Sequence, residues 1–220
     1  MLDVALSYPF IAIEGNIGAG KTTLCHRLAT RTGCSLILEQ FTDNPFLPFF
    51  YEQPARYAFP VELFFMTERH KQLLEHFARP DLFRTCTVAD YFFVKTLLFA
   101  KNNLPSEEFR LFQRLFAVLN STFPKPDLLL YLHRPVPVLL EHIRRRGRDM
   151  EQQITPAYLD QIQQAYFDYL KAQTDTPVLV LELGDLDFQH QEETLDHILQ
   201  LLVQPYSKGL TFLNLTTVSL

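Results

Sequence analysis

Gly15-Asn16-Ile17-Gly18-Ala19-Gly20-Lys21-Thr22 sets glycines, a lysine and a threonine in the spacing G-x-x-x-x-G-K-[ST], directly after a short apolar run and directly before an amphipathic one. Glycines let backbone N–H groups close around a triphosphate, and a helix that starts there aims its positive end at the same charge. Lys21 suits the β- and γ-phosphates, Thr22 suits a bound Mg²⁺, and Thr23 continues the helix start, so residues 15–23 are expected to hold Mg-ATP. Two acids stand where strands are expected to end. Ligands of an open parallel sheet collect beyond the carboxyl ends of its strands, which gives such acids weight. Glu39 is placed to take the proton of an attacking hydroxyl, and Asp90 to hold a metal-bound water. Thr22, Glu39 and Asp90 are therefore the candidate metal residues. The run Arg144-Arg145-Arg146-Gly147-Arg148 is the one dense basic segment in a chain of net charge −5, and guanidinium forks match phosphoryl oxygens. A solvated helix end is the plainer account of the same residues.

Positioning these groups requires strands that stop at one edge and helices that carry the chain back. Apolar runs over 10–14, 35–39, 86–90, 128–133 and 178–183 read as five parallel strands. Apolar spacing of three and four predicts helices over 21–32, 56–78, 92–101, 106–121, 136–146, 156–172 and 189–203. The class is α/β, a five-stranded parallel sheet flanked by helices, in one domain over 1–205. The tail 206–220 is apolar and β-prone over its last dozen residues, and an edge strand, a dimer contact and a loose tail all fit it.

Composition narrows the function. With 220 residues, 47% of them hydrophobic, the chain supports one sizeable core. Its negative charge argues against binding along a nucleic-acid backbone. No apolar run reaches the roughly 20 residues that span a bilayer, and no signal-like stretch precedes the first strand, so neither a membrane nor export is expected. Three cysteines without metal spacing predict neither a disulfide framework nor a zinc site, in keeping with a reducing cytoplasm.

Four blocks together resemble the deoxynucleoside kinase family, from Ile11 to about Leu201. The loop Glu14 to Thr23 looks like the family's phosphate loop, and Glu39 falls at its general base, although the proline that follows there is absent. Residues 51–59, Tyr-Glu-Gln-Pro-Ala-Arg-Tyr-Ala-Phe, are similar to the segment whose tyrosine contacts the sugar 3'-hydroxyl, which implies that role for Tyr51 and puts Glu62 in the base pocket. Residues 146–151 resemble the lid, in which arginines, here Arg146 and Arg148, clamp donor phosphates and a glutamate, here Glu151, binds the sugar. Residues 184–188 are similar to the loop that packs on the donor adenine, which implies Asp187 and Phe188. The resemblance implies phosphate transfer from ATP to a deoxynucleoside 5'-hydroxyl and a homodimer.

Two departures matter. The family's third-strand acid-Arg-Ser motif is Asp90-Tyr91-Phe92 here, so its arginine is missing and Lys95 is the candidate substitute. The base-pocket glutamine is Glu62, whose carboxylate only accepts hydrogen bonds; guanine offers two adjacent donors to it. Arg69, two helical turns on, is an alternative partner for Glu62, and deoxyadenosine stays open beside deoxyguanosine. Two rival readings are a thymidylate-type monophosphate kinase, which needs extra cations for its acceptor, and a nucleotide-switched binding protein, whose Asn-Lys-x-Asp element is not found.

Overall fold

Phe10–Gly15 forms β1 with all six residues buried. Strands covered on both faces read as unbroken apolar runs because neither face meets water, and β4 (Leu128–His133) and β5 (Pro177–Glu182) follow the same rule. The computed structural model describes residues 5–39, 44–78 and 84–216. There, β1, β4 and β5 join β2 (Ser35–Ile37), β3 (Thr87–Ala89) and β6 (Gly209–Asn214) in one parallel sheet of order β2-β3-β1-β4-β5-β6.

Helices α1 (Lys21–Thr32), α6 (Val136–Arg146) and α8 (Glu192–Leu202) pack apolar residues on one face of the sheet. Helices α3 (Pro54–Ala78), α4 (Lys95–Asn103), α5 (Ser106–Asn120) and most of α7 (Pro156–Lys171) cover the other. A short α2 (Leu47–Phe50) precedes α3. Leu24 and Leu28 of α1 are fully buried, so trimming either to alanine would cost about 2–5 kcal/mol. That anchoring fixes where α1 starts, and with it the loop from Gly15 to Gly20.

Three features differ from the sequence reading. The sheet has six strands rather than five: Gly209–Asn214 pairs in parallel with β5, from Pro177↔Gly209 to Glu182↔Asn214, which selects the edge strand among the three readings of the tail. The last residues of that tail, 217–220, and Gln40 beside Glu39 lie outside the described residues. The helix expected from residue 92 begins at Lys95, because residues 92–94 turn the chain out of β3. Finally, Cys34 and Cys86 form a disulfide, which corrects the expectation of none. Each stands one residue before a strand, and the register Ser35↔Thr87 sets them side by side with Cα atoms 4.7 Å apart. A separation of 52 residues hides that contact from the sequence.

Candidate active site

The loop after β1 turns on Gly18 (φ 83°) and Gly20 (φ 95°), both left-handed. A Cβ on Gly18 would lie 2.8 Å from the Leu139 carbonyl oxygen, and one on Gly20 would lie 2.7 Å from the Phe188 ring. Gly20 also caps α1 without any side-chain acceptor, leaving first-turn amides of α1 without a capping side chain at the loop. Asn16 is buried; its amide donates to Leu159 O (2.8 Å) and its carbonyl accepts from Ile17 N (2.9 Å), so the loop is tied to α7. His142 Nδ1 lies 2.8 Å from Gly18 O. Lys21 Nζ lies along the loop and donates to Gly15 O and Asn16 O, both at 2.9 Å. Burial and the neighbouring Lys95 lower its pKa to about 8 against the pull of Glu14, Glu39 and Asp90. Gly20→Ala combines left-handed strain of about 1–2 kcal/mol with the contact on Phe188, so Mg-ATP binding should weaken at least tenfold in calorimetric titration. Unchanged affinity would contradict this geometry.

Asp90 is buried just past β3 and joins two elements. Its Oδ2 accepts from Thr22 Oγ1 (2.6 Å) and its Oδ1 from Glu39 N (2.7 Å). A hydroxyl and a carboxylate so close together form a hard-oxygen donor pair of the kind Mg²⁺ uses along with substrate phosphates. No group of three or more His, Cys, Asp or Glu suited to a metal occurs among the described residues.

Glu39 lies two residues past β2. Its Oε1 accepts from Arg69 Nε (2.8 Å) and Nη2 (2.5 Å), and its Oε2 from Lys95 Nζ (2.5 Å). Burial pushes the Glu39 carboxyl up, but the Arg69 and Lys95 charges and their hydrogen bonds outweigh it and hold the group well below the usual carboxylate range. Arg69 also donates to Thr96 Oγ1 (2.8 Å). Arg69 therefore serves Glu39, not Glu62, which removes the pairing that the helical spacing offered. Lys95 reaches Glu39 from the first turn of α4.

Glu62, buried on α3, accepts from Asn103 Nδ2 through Oε1 (2.6 Å), while its Oε2 has no hydrogen-bond partner among the described residues. Burial raises this carboxyl to about 7, with the Asn103 hydrogen bond and the Arg69 charge pulling the other way. The native state thus keeps a proton that the unfolded chain loses, so stability is intact below about pH 4.5 and falls as the pH climbs to about 7. A rise of this size corresponds to about 3 kcal/mol. Glu62→Gln should leave the melting temperature nearly unchanged at about pH 5 and raise it at about pH 8.5. An equal difference at the two pH values would contradict the buried acid.

Across the cavity, Glu151 in the 3-10 turn Asp149–Glu151 accepts from Arg146 and from Arg148 (3.1 Å). Arg146 ends α6, and Gly147 (φ 70°) turns the chain into the lid. Tyr51 lines the same cavity as Glu151 and Glu62, and burial beside those two carboxyls raises its phenol well above its ordinary value. One cavity thus gathers Tyr51, Glu62, Arg69, Lys95, Arg146, Arg148 and Glu151 with Lys21 and Glu39. An adjoining cleft of about 790 Å³ holds Lys21, Thr22, Thr23, Asp187 and Phe188, a volume within the usual range for small-molecule sites. Phe188 is buried against Gly20, with Arg134 over its ring at 5.3 Å, whereas the Asp187 carboxylate accepts from Gln189 N (2.9 Å) and His190 N (3.2 Å).

Several residues escaped the sequence reading. Arg134 donates to the carbonyls of Ala19, Gly184 and Leu186, tying the phosphate loop to the turn after β5. A cation directly after an apolar strand, in His133-Arg134-Pro135, was its available signal. Glu14 accepts from Phe92 N (2.6 Å) and Tyr166 Oη (2.8 Å) behind the loop, and burial raises its pKa. Asn103, at the end of α4, has no local signal at all.

A parallel sheet whose first strand feeds a phosphate loop, with a lid of arginines over its mouth, defines the class of P-loop phosphotransferases. The model of the deoxynucleoside kinase family matches residues 11–204, and the chain belongs to that family. It is 34% identical to a deoxyguanosine kinase of Bacillus subtilis (strain 168) over 86% of this chain and 94% of that protein. It is 31% identical to a deoxyadenosine/deoxycytidine kinase of the same organism, over 86% and 88%. The solved deoxyadenosine kinase of M. mycoides with bound dCTP shares the fold, with a TM-score of 0.73 at 24% identity over 87% of this chain and 98% of that one.

Proposed function

We propose that the chain transfers the γ-phosphate of Mg-ATP to the 5'-hydroxyl of a purine deoxynucleoside, deoxyguanosine or deoxyadenosine, in nucleotide salvage. The observation that carries this reading is Glu39, held ionised by Arg69 and Lys95 between the phosphate loop and a cavity that ends at Glu62. Tyr51 and Glu151 hold the sugar, and Glu39 accepts a hydrogen bond from the 5'-hydroxyl and orients its oxygen toward the γ-phosphorus. The O–H proton passes to Glu39 as the new P–O bond forms and the bond to the β-phosphate oxygen breaks. A carboxylate held this acidic takes the proton late, which suits a loose transition state in which the nucleophile carries little new bonding. Lys21, Arg146 and Arg148 meet the charge on the phosphoryl oxygens. Thr22 and Asp90 would hold Mg²⁺, which would neutralise phosphate charge when bound, and Glu39, paired with Arg69 and Lys95, is assigned to the acceptor hydroxyl. Asp187 and Phe188 border the donor base.

The cations beside the acceptor cavity, Arg69 and Lys95, both pair with Glu39, which favours an uncharged acceptor over a nucleoside monophosphate. A homodimer acting in the cytoplasm is also proposed, on the family likeness alone. The test is transfer from Mg-ATP to the four deoxynucleosides and their monophosphates. The two purine deoxynucleosides should be the best acceptors. A pyrimidine as the best acceptor, or a monophosphate turned over faster than its nucleoside, would overturn the reading.

A further inference from the structure

The geometry points to Glu62 as a two-state reader of the nucleobase, taking guanine and rejecting adenine when its carboxyl is ionised, and admitting adenine when it is protonated. This rests on the proposed kinase reading and extends it to how one pocket serves two purines.

Glu62 is 2% exposed and lines the acceptor cavity. Its two oxygens are not equivalent. Oε1 accepts from Asn103 Nδ2 (2.6 Å), and that amide is oriented in turn by Asn102, whose Nδ2 donates to Asn103 Oδ1 (3.1 Å). Oε2 has no hydrogen-bond partner among the described residues. A buried polar atom without a partner costs on the order of 1–3 kcal/mol, a cost that a ligand group can relieve.

The carboxyl changes its hydrogen-bonding pattern on titration. Ionised, it presents two acceptors side by side, matching the N1–H and N2–H donors of guanine. Protonated, it carries its hydrogen on Oε2, because Oε1 is already held as an acceptor by Asn103. Oε2–H then donates to N1 of adenine while Oε1 accepts from the adenine N6–H. Ionised, the carboxylate faces adenine N1 acceptor to acceptor; protonated, it pairs with adenine and also with guanine, through O6 and N1–H, so the anion is the state that discriminates.

Both states lie within reach near neutrality. On its own helix Glu62 faces Arg69, and from α4 Lys95; both favour the anion, yet both are engaged by Glu39 at the end of β2, whose charge opposes it. Asn103 of α4 donates a hydrogen bond to its Oε1. Tyr51 after α2 and Tyr158 of α7 contribute neutral hydroxyls, and the lid's Arg146 and Arg148 pair with Glu151. Burial leads these influences and brings the group to about 7.

The experiment is competition: both deoxynucleosides together with Mg-ATP, and the ratio of the two monophosphate products at about pH 6 and pH 8. Titrations common to both reactions, Lys21 included, cancel in that ratio. One proton changes a ratio of specificity constants by up to tenfold per pH unit, so deoxyguanosine should gain on deoxyadenosine by at least tenfold across the window. Glu62→Gln, which fixes a donor beside an acceptor, should admit both purine deoxynucleosides with a ratio that is flat in pH. A wild-type ratio that moves less than twofold, or a slope that survives in Glu62→Gln, overturns the inference while leaving the kinase reading intact. Turnover of neither purine deoxynucleoside overturns both.

Discussion

Glu39→Gln is expected to lower turnover by about 10²- to 10⁴-fold, because a neutral amide has no site for the proton of the attacking 5'-hydroxyl. The substitution also leaves Arg69 and Lys95 facing each other across a buried space without their shared anion. Removing one partner of a buried ion pair costs about 3–5 kcal/mol, so stability should fall together with activity. The two effects separate by measurement. Below the lowered melting temperature, ATP affinity should be nearly normal, since Lys21 and the loop amides are untouched, while single-turnover transfer to a deoxynucleoside is slow. Glu39→Asp keeps the charge and should recover most of the stability but only part of the rate, because the shorter side chain draws the carboxylate back from the acceptor. Transfer within tenfold of wild type in Glu39→Gln would remove Glu39 from the chemistry.

Lys21→Met should lower kcat/KM by about 10³-fold or more, the scale seen when a preorganised charge at a developing anion is lost. Among the described residues its ammonium donates only to two loop carbonyls, Gly15 O and Asn16 O, which can turn to water, so folding should be little affected. The loss should fall mainly in the single-turnover rate, since the cation counts most when charge gathers on the transferring phosphoryl oxygens. A Lys21→Met variant that binds ATP weakly but transfers at the normal rate when saturated would mean that the lysine anchors the donor only.

What the sequence made legible was local. The loop could be read because its glycines, lysine and threonine act within eight consecutive residues, and because a strand and a helix on either side leave it one geometry. Glu39 and Asp90 could be read because an apolar run that stops at an acid marks the edge of the sheet where ligands gather. Contacts set by packing could not. Arg69 sits two turns from Glu62, which suggested a pair along the helix; its long side chain instead crosses to Glu39, where Lys95 adds a second cation. Asn103, Tyr166 and Arg134 reach the site only through the way α4, α7 and β4 meet it. The Cys34–Cys86 bridge follows from the register of β2 on β3, and the sixth strand from a free edge on β5. No spacing rule encodes a register between segments tens of residues apart.

With γ-labelled Mg-ATP, purified chain and deoxyguanosine, the label should appear on the 5'-oxygen of a deoxynucleoside monophosphate, and only when the nucleoside is present. Label released solely as inorganic phosphate, or found on the protein, would contradict direct transfer between a donor held by the loop and an acceptor oriented by Glu39.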